Sequence, residues 1–140
     1  LSVAPRRRRE FLAVAGAAAV APLAGPAAGE EPSGIGGPMF GLIGKVSVVP
    51  GQREALAKVL LEGTQAMPGC LGYVVASDPA DADALWITEV WESRDSHQAS
   101  LSLPAVQAAI AKGRPLIAGF GARVETVPIG GYGLRRAEPR

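Results

Sequence analysis

The chain has one histidine, His97, set in the stretch EVWESRDSHQAS (89–100) that also holds Trp91. A lone imidazole titrates near neutral pH, with an ordinary pKa of about 6.5, so the chemistry it offers is proton transfer. The competing reading is a solvated or capping side chain in the first turn of a helix. The single cysteine, Cys70, stands in MPGCLGYVV at the entrance to an apolar run. It has no second cysteine to pair with and no basic neighbour in sequence to stabilise a thiolate, so it reads as a small buried hydrophobe. One His and one Cys, with no carboxylate spaced beside either, fall short of a three- or four-ligand metal site. No glycine loop opens a helix directly after a strand, which removes the usual phosphate cradle of a nucleotide cofactor. Neither a metal nor an organic cofactor is expected.

The elements that must position these residues follow from periodicity and turn chemistry. MFGLIGKVSVVP (39–50) is a β-rich run closed by Pro50-Gly51. QREALAKVLLEGTQAM (52–67) puts Leu56, Val59, Leu60 and Gly63 on one helical stripe, with Gly63 weakening the last turn. Pro68-Gly69 ends it, and CLGYVVASD (70–78) is a second strand. ALWITEVWES (84–93) is the clearest strand, and alternation puts Leu85, Ile87, Glu89 and Trp91 on one face and Trp86, Thr88, Val90 and Glu92 on the other. Trp86 and Trp91 therefore cannot both face one cavity. Ser93 is an N-cap for a helix starting at Arg94, with Asp95 favourable in its first turn. Pro104 suits the first turn of a further helical piece, PAVQAAIAKG, which ends near Gly113-Arg114-Pro115. ARVETVPI (122–129) is the last strand.

The order β-α-β-β-α-β over residues 38–130 is that of a ferredoxin-like α+β sandwich. Its helices cover one face of the sheet. The strands are apolar on both faces, so the uncovered face needs a partner, most simply a second copy packed sheet against sheet. A homodimer is expected.

Composition sets the remaining bounds. At 140 residues, with 48% hydrophobic and 19% charged side chains, the chain has room for one globular domain. Residues 1–29 have the layout of an export signal: the basic run Arg6–Arg9, an apolar stretch from Phe11 to about Leu23, then small residues with Gly and Pro. Arg8-Arg9-Glu10-Phe11-Leu12 resembles a twin-arginine signal, implying a periplasmic or extracellular protein that meets the membrane only in transit; the alternative is an uncleaved anchor or a disordered basic tail. Pro22 disfavours cleavage after Ala21, and Ala27-Ala28-Gly29 is the better place. Residues 30–37 read as a linker and 131–140 as a flexible tail. Beyond residue 29 the chain carries ten basic and twelve acidic side chains. No basic stripe with interleaved aromatics remains, so nucleic acid is excluded as a partner.

Over about residues 40–128 the sequence resembles the antibiotic biosynthesis monooxygenase domain, most tellingly in PGCLGY, EVWES and SLPAVQAAI. The resemblance implies a dimeric α/β barrel with a small apolar cavity between sheet and helices in each subunit. Members include quinol and anthrone-type monooxygenases, which oxidise electron-rich phenols with O₂ and no metal or flavin. By resemblance the chain is a cofactor-independent monooxygenase of a quinol or polyphenol. The protein then has to hold the ring in a dry pocket, assist its deprotonation and stabilise the anion. The alternative is a non-catalytic ligand-binding or stress-related dimer on the same fold. Haem-degrading relatives use an Asn, a Trp and a His as a set, and this chain contains no Asn.

Many members place a histidine nine positions after the aromatic residue corresponding to Trp91. That position is Ser100 here, and His97 stands three residues earlier, on the same face of a helix. His97 is accordingly the candidate catalytic acid/base. The candidate substrate-binding residues are Tyr73, Trp86, Trp91, Ser100 and Arg123. Tyr73 could donate a hydrogen bond to a phenolate. Arg123 could supply a positive charge for the same anion, or pair with Glu89 or Glu125.

Overall fold

The structure, a computed structural model, describes residues 37–134. The proposed signal, all of the linker but residue 37, and tail residues 135–140 lie outside the described residues. The elements run β1 (Phe40–Val48), α1 (Arg53–Gly63), β2 (Cys70–Ser77), β3 (Ala84–Trp91), α2 (Arg94–Ser100), α3 (Pro104–Gly113) and β4 (Ile117–Thr126), with a 3₁₀ turn at Arg114–Leu116. The four strands form one antiparallel sheet in the order β2-β3-β1-β4, and the helices cover one face of it. This is the ferredoxin-like α+β fold.

Alternation along β1 buries Phe40, Leu42, Val46 and Val48 on the helix side. The core there has two clusters. Val46, Val48, Leu85 and Ile117 surround Leu56 of α1, which is fully buried. Phe40, Leu42 and Trp91 form the second, with Met67 and Cys70 packed on it. Each fully buried aliphatic side chain contributes roughly 1.5–3 kcal/mol. Helix α1 lies close on α3, because Gly63 leaves room for Ala109 where any Cβ would collide with it.

Local chemistry places the ends of the elements. Ser93 caps α2 by accepting a hydrogen bond from the Ser96 amide at 3.1 Å, and Pro104 opens α3. Helix α1 stops at Gly63, four residues short of the sequence expectation, and the next residue, Thr64, donates its hydroxyl to the Leu60 carbonyl at 2.7 Å. Strand β4 begins at Ile117, five residues before the expected start. Its pairing with β1 continues through Gly119 to Val48 opposite Ile117, with register shifts at Gly44/Val46 and Ser47/Val48. Gly119 and Gly121 have no side chains with which to announce that strand, but their backbones complete the ladder.

The open face of the sheet carries a cross-strand row, Val74–Thr88–Ile43–Val124, spanning all four strands. Val74 and Val124 are about half exposed and Ile43 somewhat less. Residues after β4 turn back over this side of the sheet, where Leu134 rests over Gly72.

Candidate active site

Between the two core clusters, under α1, α2 and α3, lies a cavity of about 100 Å³. Its walls are apolar: Leu56 and Leu60 from α1, Ile87 and Trp91 from β3, Val106, Ala109 and Ile110 from α3. The polar groups reaching it are few, namely Thr64, Tyr73, Glu89, His97 and Ser100. An apolar lining with a few polar groups is the usual make-up of a small-molecule site.

His97 is held by the strand-to-helix turn. Gly69, in the left-handed region at φ +82°, accepts a hydrogen bond from the Glu92 amide at 2.8 Å and ties β2 to the end of β3. The Ser93 cap then starts α2 with His97 facing inward, 2% exposed. Its ring lies 5.2 Å from that of Phe40 and 5.4 Å, edge-on, from that of Trp91. The solvated-cap reading is thereby overturned: His97 is a core residue lining a cavity. Burial, then the charges of Arg123 and Arg94, press its pKa down to about 4, with Glu125 opposing. The imidazole is therefore neutral near pH 7. Its Nδ1 is buried with no hydrogen-bond partner, which is uncommon enough in a folded interior to need a reason.

Glu89 approaches the other nitrogen. Its Oε2 stands 3.8 Å from His97 Nε2, beyond hydrogen-bonding range, and accepts a 2.8 Å bond from Trp91 Nε1. Burial raises the Glu89 pKa, while the Trp91 hydrogen bond and the Arg123 charge draw it back. Burial and the Glu89 charge likewise hold the Tyr73 phenol well above its usual range.

The cavity thus gathers Tyr73, Trp91, His97 and Ser100 of the sequence candidates. Ser100 is 4% exposed, and its hydroxyl donates to the His97 carbonyl at 2.6 Å, within its own helix. Trp86 does not line the cavity. It projects from the opposite face of β3, where Nε1 donates to Asp78 Oδ2 at 2.9 Å and Lys45 Nζ lies 5.8 Å from the ring. The same carboxylate binds Lys45 at 3.0 Å, and its hydrogen bonds from the Ala80 amide, Trp86 and Lys45 hold the Asp78 pKa down to about 2. Arg123 does not line the cavity either. It stands opposite Gly44 on β4, with Nη1 3.6 Å from Glu125 Oε1, and acts on Glu89 and His97 through its charge. Glu125 is also gripped by Arg94, at 2.7 and 3.4 Å, and Arg94 stacks on the outer side of Phe40. Cys70 is half-buried against Phe40, Leu42 and Trp91, its thiol pKa raised by burial.

Sequence reasoning passed over Glu89 as a site residue. The signal was present, since alternation sets a carboxylate on the same strand face as Leu85, Ile87 and Trp91. Among the described residues, no three His, Cys, Asp or Glu side chains gather in a way that could hold a metal ion.

Fold and cavity together define a small α+β protein with a largely apolar cavity between sheet and helices. Residues 39–112 match the family model of antibiotic biosynthesis monooxygenases. A solved structure from Chloroflexus aurantiacus, named as a candidate antibiotic biosynthesis monooxygenase, is 64% identical, with TM-score 0.68, and covers 69% of this chain and 99% of its own. Two further structures named in the same way share the fold. That from Caulobacter crescentus is 23% identical with TM-score 0.56, covering 67% of this chain and 91% of its own. That from Nitrosomonas europaea is 16% identical with TM-score 0.58, covering 69% and 94%. The search of curated proteins gives no match. The chain belongs to the antibiotic biosynthesis monooxygenase family.

Proposed function

We propose that the protein is a cofactor-independent monooxygenase that oxidises a quinol or related phenol with O₂ in the cavity under α1–α3. One observation carries this reading: a neutral imidazole with an unpartnered Nδ1 is among the few polar groups of a largely apolar cavity wall. A phenolic hydroxyl supplies the missing partner, and proton transfer to Nδ1 leaves an electron-rich phenolate able to reduce O₂. Tyr73 stays protonated and so donates to the phenolate oxygen. Arg123 and Arg94 add positive potential without touching the ring. Trp91 and Ile87 form the floor, and the dry walls strengthen each of these interactions.

The working unit in this reading is a homodimer, formed by two copies of the Val74–Thr88–Ile43–Val124 row packed face to face. Export through the twin-arginine segment is part of the same proposal, and a fusion of residues 1–29 to a reporter tests it.

Activity is tested by O₂ uptake with a monocyclic hydroquinone and with menadiol, corrected for spontaneous oxidation. The wild type is expected to accelerate uptake, and His97→Ala to lose at least 100-fold of that acceleration, within the usual contribution of a positioned base. Binding of the quinol without any acceleration would favour the non-catalytic ligand-binding alternative.

A further inference from the structure

We propose that Glu89 is the acid of the oxygenation, delivering protons to the peroxide oxygens while His97 removes them from the substrate. The proposal rests on the quinol reading above. Its basis is the proton balance of the reaction together with the placement of two polar groups.

For a hydroquinone the reaction is C₆H₆O₂ + O₂ → C₆H₄O₃ + H₂O. The ring gives up four electrons, one oxygen atom enters it and the other leaves as water, so no external reductant is needed. In the first stage a phenolic O–H proton passes to a base. The phenolate then gives one electron to O₂, and the resulting semiquinone and superoxide join at the ring carbon beside the oxygen. The new C–O bond carries a peroxide anion that takes up one proton. In the second stage the proton on that carbon leaves to a base, its electron pair forms the new C=O, and the O–O bond breaks. The departing hydroxide takes a second proton and becomes water. Two protons are removed and two delivered, one of each per stage. The protonated base returns a proton only to an oxygen within its reach, so a second group on the cavity wall that recovers its proton from the base can make the deliveries.

The cavity supplies both groups. His97 offers Nδ1, which has no partner. Glu89 lines the same wall, and the hydrogen bond its Oε2 accepts from the Trp91 indole holds the carboxyl in place. His97 Nε2 and Glu89 Oε2 are 3.8 Å apart, so a side-chain shift of about 1 Å makes the hydrogen bond that returns the proton. The surroundings favour this division of labour: burial pushes Glu89 towards the acid form and His97 towards the free base, which is the pattern of an acid–base pair. Tyr73 and Cys70 face the pair from β2, Arg123 and Glu125 from β4, and Arg94 from α2.

Glu89→Gln tests the proposal, because the amide oxygen can still accept from Trp91 while no acidic proton remains. The measurement is ¹⁸O₂ incorporation into the quinone together with hydrogen peroxide release, using a monocyclic hydroquinone. Wild type is expected to place one ¹⁸O in the ring and release little peroxide. In Glu89→Gln the ratio of peroxide to hydroxyquinone is expected to rise at least tenfold, since unprotonated peroxide reverts to superoxide and semiquinone, and the semiquinone then gives its second electron and phenolic proton to superoxide, leaving hydrogen peroxide and unhydroxylated quinone. An unchanged ratio at wild-type rate overturns the role of Glu89 and leaves the monooxygenase reading intact. Absence of ¹⁸O incorporation by the wild type overturns that reading, and the proposal with it. Infrared difference spectra between wild type and Glu89→Gln at neutral pH supply a second readout: a protonated carboxyl band is expected, and its absence overturns the proposal whatever the turnover.

Discussion

Acidification should destabilise this protein through His97 by an amount that the structure sets. The imidazole titrates at about 4 when folded against a model value of 6.5, so between those values the unfolded chain binds more protons. The stability contributed by keeping His97 neutral is present above 6.5 and is lost as pH falls from 6.5 through 4. For one such group the loss is about 2 kcal/mol at pH 5 and about 3 kcal/mol at pH 4. Glu89 acts in the opposite sense: its raised pKa gives stability at low pH that is lost as pH rises above the unfolded carboxylate value. Asp78, held down to about 2, begins to matter only below its ordinary value of 3.8. A difference measurement isolates His97 from both. Urea unfolding of wild type and His97→Gln at pH 7 and pH 5, at one protein concentration, should show the wild type losing about 2 kcal/mol more than the variant. Gln carries no titrating group, so its pH dependence reports all the others. Parallel losses in the two proteins would show that His97 is not held neutral by burial, and the acid–base assignment built on that state would fall with it.

Gly63→Ala should lower stability by roughly 1–3 kcal/mol despite the better helix propensity of Ala, because its Cβ collides with Ala109; thermal melts should show partial rescue by the double change Gly63→Ala/Ala109→Gly. Ile110→Ala removes side-chain volume from the α3 wall of the cavity. It should raise kcat/KM for a two-ring quinol relative to a one-ring quinol about tenfold, measured by O₂ uptake. Val74→Lys with Val124→Lys sets like charges on the open face and should shift the protein to monomer in analytical ultracentrifugation; an unchanged dimer would exclude that face as the interface. Trp86→Phe should cost stability while leaving turnover unchanged, whereas Trp91→Phe strips Glu89 of its donor and should lower turnover as well.

The sequence makes legible whatever is governed by neighbouring residues. Ser93 and Pro104 mark the starts of their helices because a capping hydroxyl and a fixed φ act locally. Alternation separated Trp86 from Trp91, yet it could not say which faces the cavity, since both sides of β3 carry apolar residues. Glycines hid the first half of β4, where backbone pairing with β1 persists without side-chain alternation. The meeting of Glu89 with His97 lay furthest from sight. It requires α2 to dock on the sheet so that a residue eight positions along the chain returns to within 3.8 Å, and that distance belongs to tertiary packing.

Helix α2 brings its imidazole to the cavity at position 97 and a serine at position 100. Residues 97 and 100 share a helix face, both are buried, and the Ser100 hydroxyl is consumed by the His97 carbonyl, so the imidazole is left as the only titratable side chain α2 brings to the cavity. The gap between His97 Nε2 and Glu89 bears on the charge state. An imidazolium facing a carboxylate in so apolar a setting would close to a short charge-assisted bond, because two separated charges there forfeit both hydration and each other. At 3.8 Å no such bond is formed. Arg94 and Arg123 act in the same direction on His97, since both oppose a further cation. Burial favours the free base at His97 and shifts Glu89 towards its acid form, and a proton that passes between the two leaves the net charge of the pair unchanged.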